Sequence, residues 1–350
     1  MRLGFPVFAA TALALLLPIC PPAVAQDASG TLLAISKKDH MVSIVDGRTL
    51  AIRSKVPTGE DPHEITASPD GRKAWISNYG FGSLHTLRQI DIPAAKVDKI
   101  IDLGALTGPH GLYFQGGKVW FTAEAAKAFG RYDPATGKID FILGTGQDRT
   151  HMIYVWPNGE HIATTNVNAA TVSLIDLKHI RVPAPAAPGA PGSGPTMVDR
   201  SDWEQTVIPV GKGDEGFDVS PDGKQLWTAD AQDGTVSVID LATKKNIATL
   251  PLDVAGANRL KFTPDGRFAI ISLLRGSTLV VVDTTTHQRV KTIEMGGGSA
   301  GIVIDAVGNR AFIACGGGNY VGVLDLKTFT IVKKIDVGGD PDGMVWIAGH

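Results

Sequence analysis

Residues 215–250 read EGFDVSPDGKQLWTADAQDGTVSVIDLATKKNIATL, and the reading of this stretch decides the fold. Gly216-Phe217-Asp218-Val219 is a short apolar strand. Ser220 to Gly223 is a tight turn, in which Pro221 fixes one φ angle and Gly223 is free to take a positive one. Lys224 to Ala229, with Trp227, is a second strand, and Asp233-Gly234 turns the chain again. Thr235-Val236-Ser237-Val238-Ile239 alternates as a half-buried strand does. Asp240 opens a turn, and Asn246 to Leu250 is the fourth strand. Four antiparallel strands in about 43 residues make one blade of a β-propeller.

The same punctuation recurs along the chain. Ser68-Pro69-Asp70-Gly71, Trp156-Pro157-Asn158-Gly159 and Thr263-Pro264-Asp265-Gly266 match Ser220-Pro221-Asp222-Gly223, with looser copies at Gln115-Gly116-Gly117 and Asp305-Ala306-Val307-Gly308. One such unit cannot bury its apolar face alone, so the units must stack. The third strand of each unit ends in an aspartate: Asp46, Asp91, Asp133, Asp176, Asp240, Asp283 and Asp325. Recurrence in every unit marks a structural task, the closing of the hairpin by an Asx-type bond. The count predicts an all-β, seven-bladed β-propeller of four-stranded antiparallel blades. Six blades are contiguous. The seventh takes its innermost strand from Asp342 to Ala348 and its other three from Thr31 to Val56, which closes the ring and removes the free sheet edge. A Pro/Gly-rich insertion over residues 183–203, in the third contiguous blade, is expected to be an extended loop.

Residues 1–25 read as a signal peptide. Arg2 supplies the positive start, Phe5 to Leu17 is an apolar run too short to span a bilayer, and Ala23-Val24-Ala25 is a small-x-small cleavage site. Cleavage after Ala25 predicts a periplasmic or secreted chain with no membrane span, forming a single propeller domain over residues 26–350. Cys20 has Pro18-Ile19 before it and lacks the small residue of a lipoprotein site. The mature chain then keeps one cysteine, Cys315, so no internal disulfide can form. With 41 glycines and 43% hydrophobic residues this is a strand-rich globular chain. A formal net charge of -2 and the absence of any basic run argue against a nucleic-acid partner. No Cys-x-x-Cys-His motif is present, so no covalent haem is expected. A monomer is expected.

The Ser-Pro-Asp-Gly, aromatic strand and Val-x-Val-Ile-Asp-x-x-Thr pattern resembles the YVTN-type bacterial β-propellers, whose wider kin include the haem-d propeller of cytochrome nitrite reductase. The resemblance covers nearly all of the mature chain, and it speaks to fold more than to function. The second blade departs from it. Gly108-Pro109-His110-Gly111-Leu112, Val119-Trp120-Phe121-Thr122-Ala123-Glu124 and Gly130-Arg131-Tyr132-Asp133-Pro134-Ala135-Thr136-Gly137 are similar to blades of the streptogramin lyases. In that family glutamates bind magnesium and a histidine is the base that opens a cyclic ester. His110 and Glu124 match in kind and spacing; the other blades do not keep the pattern. Regucalcin-like and gluconolactonase-like propellers place an Asn/Asp/Glu metal site centrally, a role that Asn166 and Asp230 would suit.

Alignment of the seven units exposes two polar columns. The first residues of the innermost strands are His63, His110, His151, Glu215, Asn258, Ala300 and Asp342. The last residues of the second strands are Ser36, Asn78, Ala123, Asn166, Asp230, Leu273 and Cys315. The start of one strand lies beside the end of its antiparallel neighbour, so both columns are expected to ring the channel mouth. His63, His110, His151, Glu215 and Asp342 form a candidate site for a divalent metal of unspecified identity. His110 and His151, with Glu124, are the candidate catalytic residues. Asn78, Asn166, Asp230, Asn258 and Cys315 complete the expected mouth. A structural reading stays open, with each imidazole bonding a neighbouring blade.

Two functions are compatible with this pattern. One is an exported propeller that binds a small molecule, a metal or a periplasmic protein partner at the His/acid mouth. The other is a metal-dependent lyase or lactonase acting on a cyclic ester, with a mouth histidine as general base.

Overall fold

The computed structural model describes residue 1 and residues 30–184 and 197–349. It forms seven four-stranded antiparallel sheets arranged as a ring. We number the six contiguous blades 1 to 6 in chain order. Their innermost strands are Pro62–Ala67, Pro109–Gln115, Thr150–Val155, Asp214–Val219, Ala257–Phe262 and Ser299–Asp305. Blade 7 takes its innermost strand from Pro341–Ala348, followed outward by Gly30–Ser36, Met41–Asp46 and Ile52–Pro57. Each innermost strand touches the innermost strand of the next blade, and that of blade 6 touches Pro341–Ala348, which touches that of blade 1. The ring is therefore closed by pairing the two ends of the described chain, as the repeat count required. Helix is confined to two single turns, Gly80–Gly82 and Gly316–Gly318, among the described residues. No helix there is long and apolar enough to cross a membrane. Apart from residue 1, the candidate signal peptide lies outside the described residues.

The blades pack through one repeated side-chain position. Trp75, Trp120, Trp227 and Phe312 occupy the same place on the second strand and are buried. Trp75 stacks on Phe114, Trp227 meets Phe262 edge-on, and Phe312 stacks on Trp346, in each case from one blade to the next. The hairpin aspartates do what their recurrence implied. Asp46, Asp240, Asp283 and Asp325 each accept hydrogen bonds from the backbone N–H and the hydroxyl of the threonine three residues on. Asp176 is the exception, because its strand does not stop there. Thr171–Pro183 and Met197–Pro209 pair as a ladder of thirteen residues a side, out to Pro183 against Met197. The segment 197–203, expected to be loop, is strand, and Asp176 binds His161 and Lys244 instead.

At the hub the backbones come very close. The innermost strand of every blade carries an irregularity in its register near its start, between Pro62 and Ile65 in blade 1 and at the equivalent residues elsewhere. Four of the bulged segments contain a glycine: Gly111, Gly216, Gly301 and Gly343. A Cβ on Gly343 would overlap the carbonyl oxygen of His63, and one on Gly111 that of His151. Hydroxyls from the second strands bind carbonyls of the bulged residues in the next blade. Ser77 donates to His110 O at 2.9 Å, Thr122 to His151 O at 2.6 Å and Ser272 to Ala300 O at 2.6 Å.

Three blades place a larger residue where the others have glycine: Glu64, Met152 and Arg259. Glu64 and Arg259, from blades 1 and 5, meet across the axle as an ion pair and are 9% and 7% exposed. Arg259 borders both a cavity at the His-rich end and a second cavity beyond it, so the pair is a floor across the channel.

Two outcomes follow. Gly343→Ala should destabilise by about 1–3 kcal/mol in chemical denaturation, the usual result of forcing a carbon into a filled site. Glu64→Ala, which strands a buried guanidinium, should cost about 3–5 kcal/mol, while the double variant Glu64→Leu/Arg259→Met should recover most of that.

Candidate functional site

The site is built by the bulges. The two-against-one pairing turns the bulged residue away from the face that its neighbours share, and bulges serve this purpose beside functional sites. The bulged residues are His63, His110, His151, Glu215, Asn258, Ala300 and Asp342, one from each blade. All seven line one cavity of about 400 Å³. Lys37, Phe81, Arg149 and Arg275 line it as well.

The second polar column does not join them. The strand partners of Asn78, Asn166 and Asp230 are Pro62, Thr150 and Asp214, one residue before the bulge in each blade. Cross-strand partners share a face, so this column points away from the residues that line the channel. Asn78 donates to Thr58 O and Glu60 O. Asn166 is bound within its own blade by Thr150, Thr171 and Ser173. Asp230 accepts from Thr235 and Ser237, and burial pushes its carboxyl up to about 7. Cys315 is fully buried, with Sγ 3.6 Å from Met295 O. Asn78, Asn166, Asp230 and Cys315 are thus corrected from channel-mouth residues to internal braces of the blades. Asn258 does line the mouth.

The five candidate metal ligands fall into two groups. In the first, His63 Nε2 accepts from Lys37 Nζ at 3.0 Å, and Lys37 lies 3.4 Å from Asp342 Oδ2. Burial lowers the affinity of His63 for a proton, more than Asp342 raises it. In the second, His151 is 1% exposed and wedged between two carboxylates. Its Nδ1 is hydrogen-bonded to Glu124, and its Nε2 is 3.0 Å from Glu215 Oε2, off the hydrogen-bonding direction. Burial opposes charge on His151, but Glu215 and Glu124 outweigh it and raise its pKa to about 9. Burial likewise opposes the charge on Glu215, and His151 overrides it, holding that carboxyl at about 2. The five residues are therefore not a single coordination sphere; His63 and Asp342 are engaged by Lys37.

His110 lies between the two groups. Its ring centroid is 3.9 Å from that of His151 and 5.0 Å from that of His63. It is 3% exposed, and its Nδ1 has no hydrogen-bond partner. Burial holds it uncharged, and the positive neighbour His151 adds to the effect. Ligating atoms of His110, Glu124 and His151 all lie within 4.8 Å of one another.

Two members of this site escaped the sequence reading. Tyr79 donates its hydroxyl to Glu124. Arg149 spans the two carboxylates, 3.4 Å from Glu124 and 3.2 Å from Glu215. Arg149 sits at φ 57°, in a column that holds Gly108, Gly213 and Gly256 in three other blades and Asp61 and Asp340 in two more, all at positive φ. A long side chain in that conformation costs about 1–2 kcal/mol and marks a position held for another reason.

Comparison with known proteins follows the same division between fold and site. The family described as the cytochrome D1 heme domain matches residues 187–305, about a third of the chain. That span contains Glu215, Asp230 and Asn258 and none of the three mouth histidines. No curated protein matches the chain. Among solved structures, a functionally unknown protein from Desulfotomaculum acetoxidans is similar with a TM-score of 0.70 and 13% identity, over 92% of this chain and 100% of that one. A putative 6-phosphogluconolactonase from Bacteroides uniformis is similar at 0.69 and 15%, over 91% and 100%. Dihydro-heme d1 dehydrogenase NirN, in complex with DHE, is similar at 0.60 and 17%, over 91% of this chain and 66% of that one. The chain is a seven-bladed β-propeller, with a central stretch similar to the D1 heme domain.

Proposed function

We propose that this chain is an exported binding propeller that takes a divalent transition-metal ion at the His-rich mouth of its channel, through His110, Glu124 and His151. The observation that carries this reading is the buried, uncharged His110, whose Nδ1 has no hydrogen-bond partner although it stands beside a carboxylate and a second imidazole. An orphaned buried ring nitrogen is costly unless a ligand completes it. The donor set of two imidazoles and one carboxylate suits zinc, copper, nickel or iron, and an ion held there would polarise a ligand oxygen or acidify bound water. Metal–nitrogen bonds of about 2.0–2.1 Å require the ligating atoms to draw somewhat closer than 4.8 Å. His151 must first surrender its proton, so the ion and the proton compete for one place. Export rests on the targeting segment in the sequence.

A haem fits this mouth poorly. Its iron needs an imidazole projecting from the wall, whereas His110 and His151 are sealed within it and His63 is held by Lys37.

The enzymatic reading, a lyase or lactonase on a cyclic ester, is favoured by one observation. His110 is uncharged next to Glu124 and could accept a proton. His151 cannot be that base near neutral pH, since it already carries a proton.

Two measurements test these readings. Untagged protein should carry close to one equivalent of a transition metal by elemental analysis after loading at pH 8, and a His63/His110/His151→Ala variant should carry none. Metal-free wild type after loading would remove the proposal. Turnover of a lactone and cyclic-ester panel, lost in His110→Ala, would instead favour the enzyme. In the metal-free protein, the His151 imidazole should titrate near pH 9 by NMR. Its folded pKa is raised, so its stabilising contribution is complete below about 6.5 and is lost as pH climbs through about 9. The Tm should fall over that interval, and Glu215→Gln should flatten the fall.

A further inference from the structure

The channel has a second end that the metal proposal leaves unused. Three residues beyond each bulged position, the innermost strands again face the axle. These residues are Thr66, Tyr113, Tyr154, Asp218 and Lys261 on one arc, and Val303 and Val345 on the other. All seven line a cavity of about 250 Å³, on the far side of the Glu64–Arg259 floor from the histidines. It continues into a funnel of about 590 Å³ walled also by Phe262 and Trp346. From this geometry we infer a second binding site, separate from the histidine mouth, for a neutral hydroxylated ring compound of monosaccharide size.

The chemistry of the wall selects that class. Lys261 Nζ donates to Asp218 Oδ1 at 3.0 Å, and the Phe262 N–H donates to Asp218 Oδ2 at 3.0 Å. The pair stays partly open to the cavity, with the side chains 35% and 17% exposed. Its charges cancel. A cationic ligand would compete with Lys261 for Asp218, an anionic one with Asp218 for Lys261, and either would leave a half-buried charge unmatched. A hydroxyl both donates and accepts, so it adds to the pair without breaking it. The Tyr113 and Tyr154 rings, 5.0 Å apart, and the hydroxyl of Thr66 extend the same polar arc. The opposite arc, Val303, Val345 and Met344, offers no polar side chain and suits the C–H face of a ring. Small-molecule sites combine apolar walls with a few convergent polar groups in this way, and 250 Å³ lies just below their usual range of about 300–1,000 Å³, space for a single ring.

Saturation-transfer NMR on the full-length protein tests this, with D-glucose and myo-inositol as neutral probes and D-glucosamine and D-glucuronate as charged ones. The neutral probes should receive saturation, and the charged ones should bind at least about tenfold more weakly. Val345→Trp, which fills the cavity, should abolish transfer, while His110→Ala at the other end should leave it intact. Tyr113→Phe, which keeps the shape and removes one hydroxyl, should weaken binding about five- to tenfold, the loss of one hydrogen bond. If Val345→Trp does not fold, Tyr113→Phe decides, and unchanged affinity overturns the proposal. No transfer to either neutral probe at about 10 mM, equal binding of the charged probes, or loss in His110→Ala would each overturn it too. None of these outcomes bears on metal content.

Discussion

The structure depends on how closely seven backbones can approach at the hub. Gly111, Gly216, Gly301 and Gly343 let one innermost strand touch the next, where any Cβ would meet a carbonyl or the neighbouring backbone. Ser77, Thr122 and Ser272 then tie the carbonyls of His110, His151 and Ala300 to the preceding blade. The bulges that make this contact also turn seven side chains into the channel. Packing at the hub and exposure at the mouth are therefore one arrangement, and a family of such folds can vary the ring of side chains without altering the scaffold.

Electrostatics divide the ring into unequal parts. Glu124 and Glu215 hold His151 charged while Arg149 bridges the same two carboxylates, Lys37 engages His63 and Asp342, and His110 is left uncharged between them. An imidazolium buried without acidic neighbours would shed its proton; here the neighbours reverse the effect of burial. Identical residue types at one repeat position thus carry different charge. Sequence periodicity cannot reveal that, because the partners arrive from outside the column.

Much of the architecture was legible because the repeat is local. Ser220-Pro221-Asp222-Gly223 and its copies mark one hairpin per blade, and the terminal aspartates mark another. The first polar column was legible for the same reason. The second was misplaced by a shift of one residue: Asp214, not Glu215, pairs with Asp230, and one step along a strand exchanges its faces. The bulge that makes this shift has no short sequence signature. Arg149 could have been found as the one long side chain in a column of Gly and Asp. Glu64 and Arg259 could not, since they lie 195 residues apart and meet only because the ring closes. The long ladder of blade 3 was hidden by the Pro/Gly composition at its tip.

The order in which the hub is assembled follows from the strand Pro341–Ala348. It is the last strand in the described chain, yet it sits at the centre, wedged between the inner strands of blades 6 and 1. During vectorial synthesis the other sheets can form as they emerge, but the wheel stays an open arc until this segment arrives. Until then the inner edge of Gly30–Ser36 is unpaired, and Glu64 has no fixed distance to Arg259. Closure waits on that strand, and a polypeptide stalled before residue 341 would present the unpaired edge of Gly30–Ser36 to its surroundings.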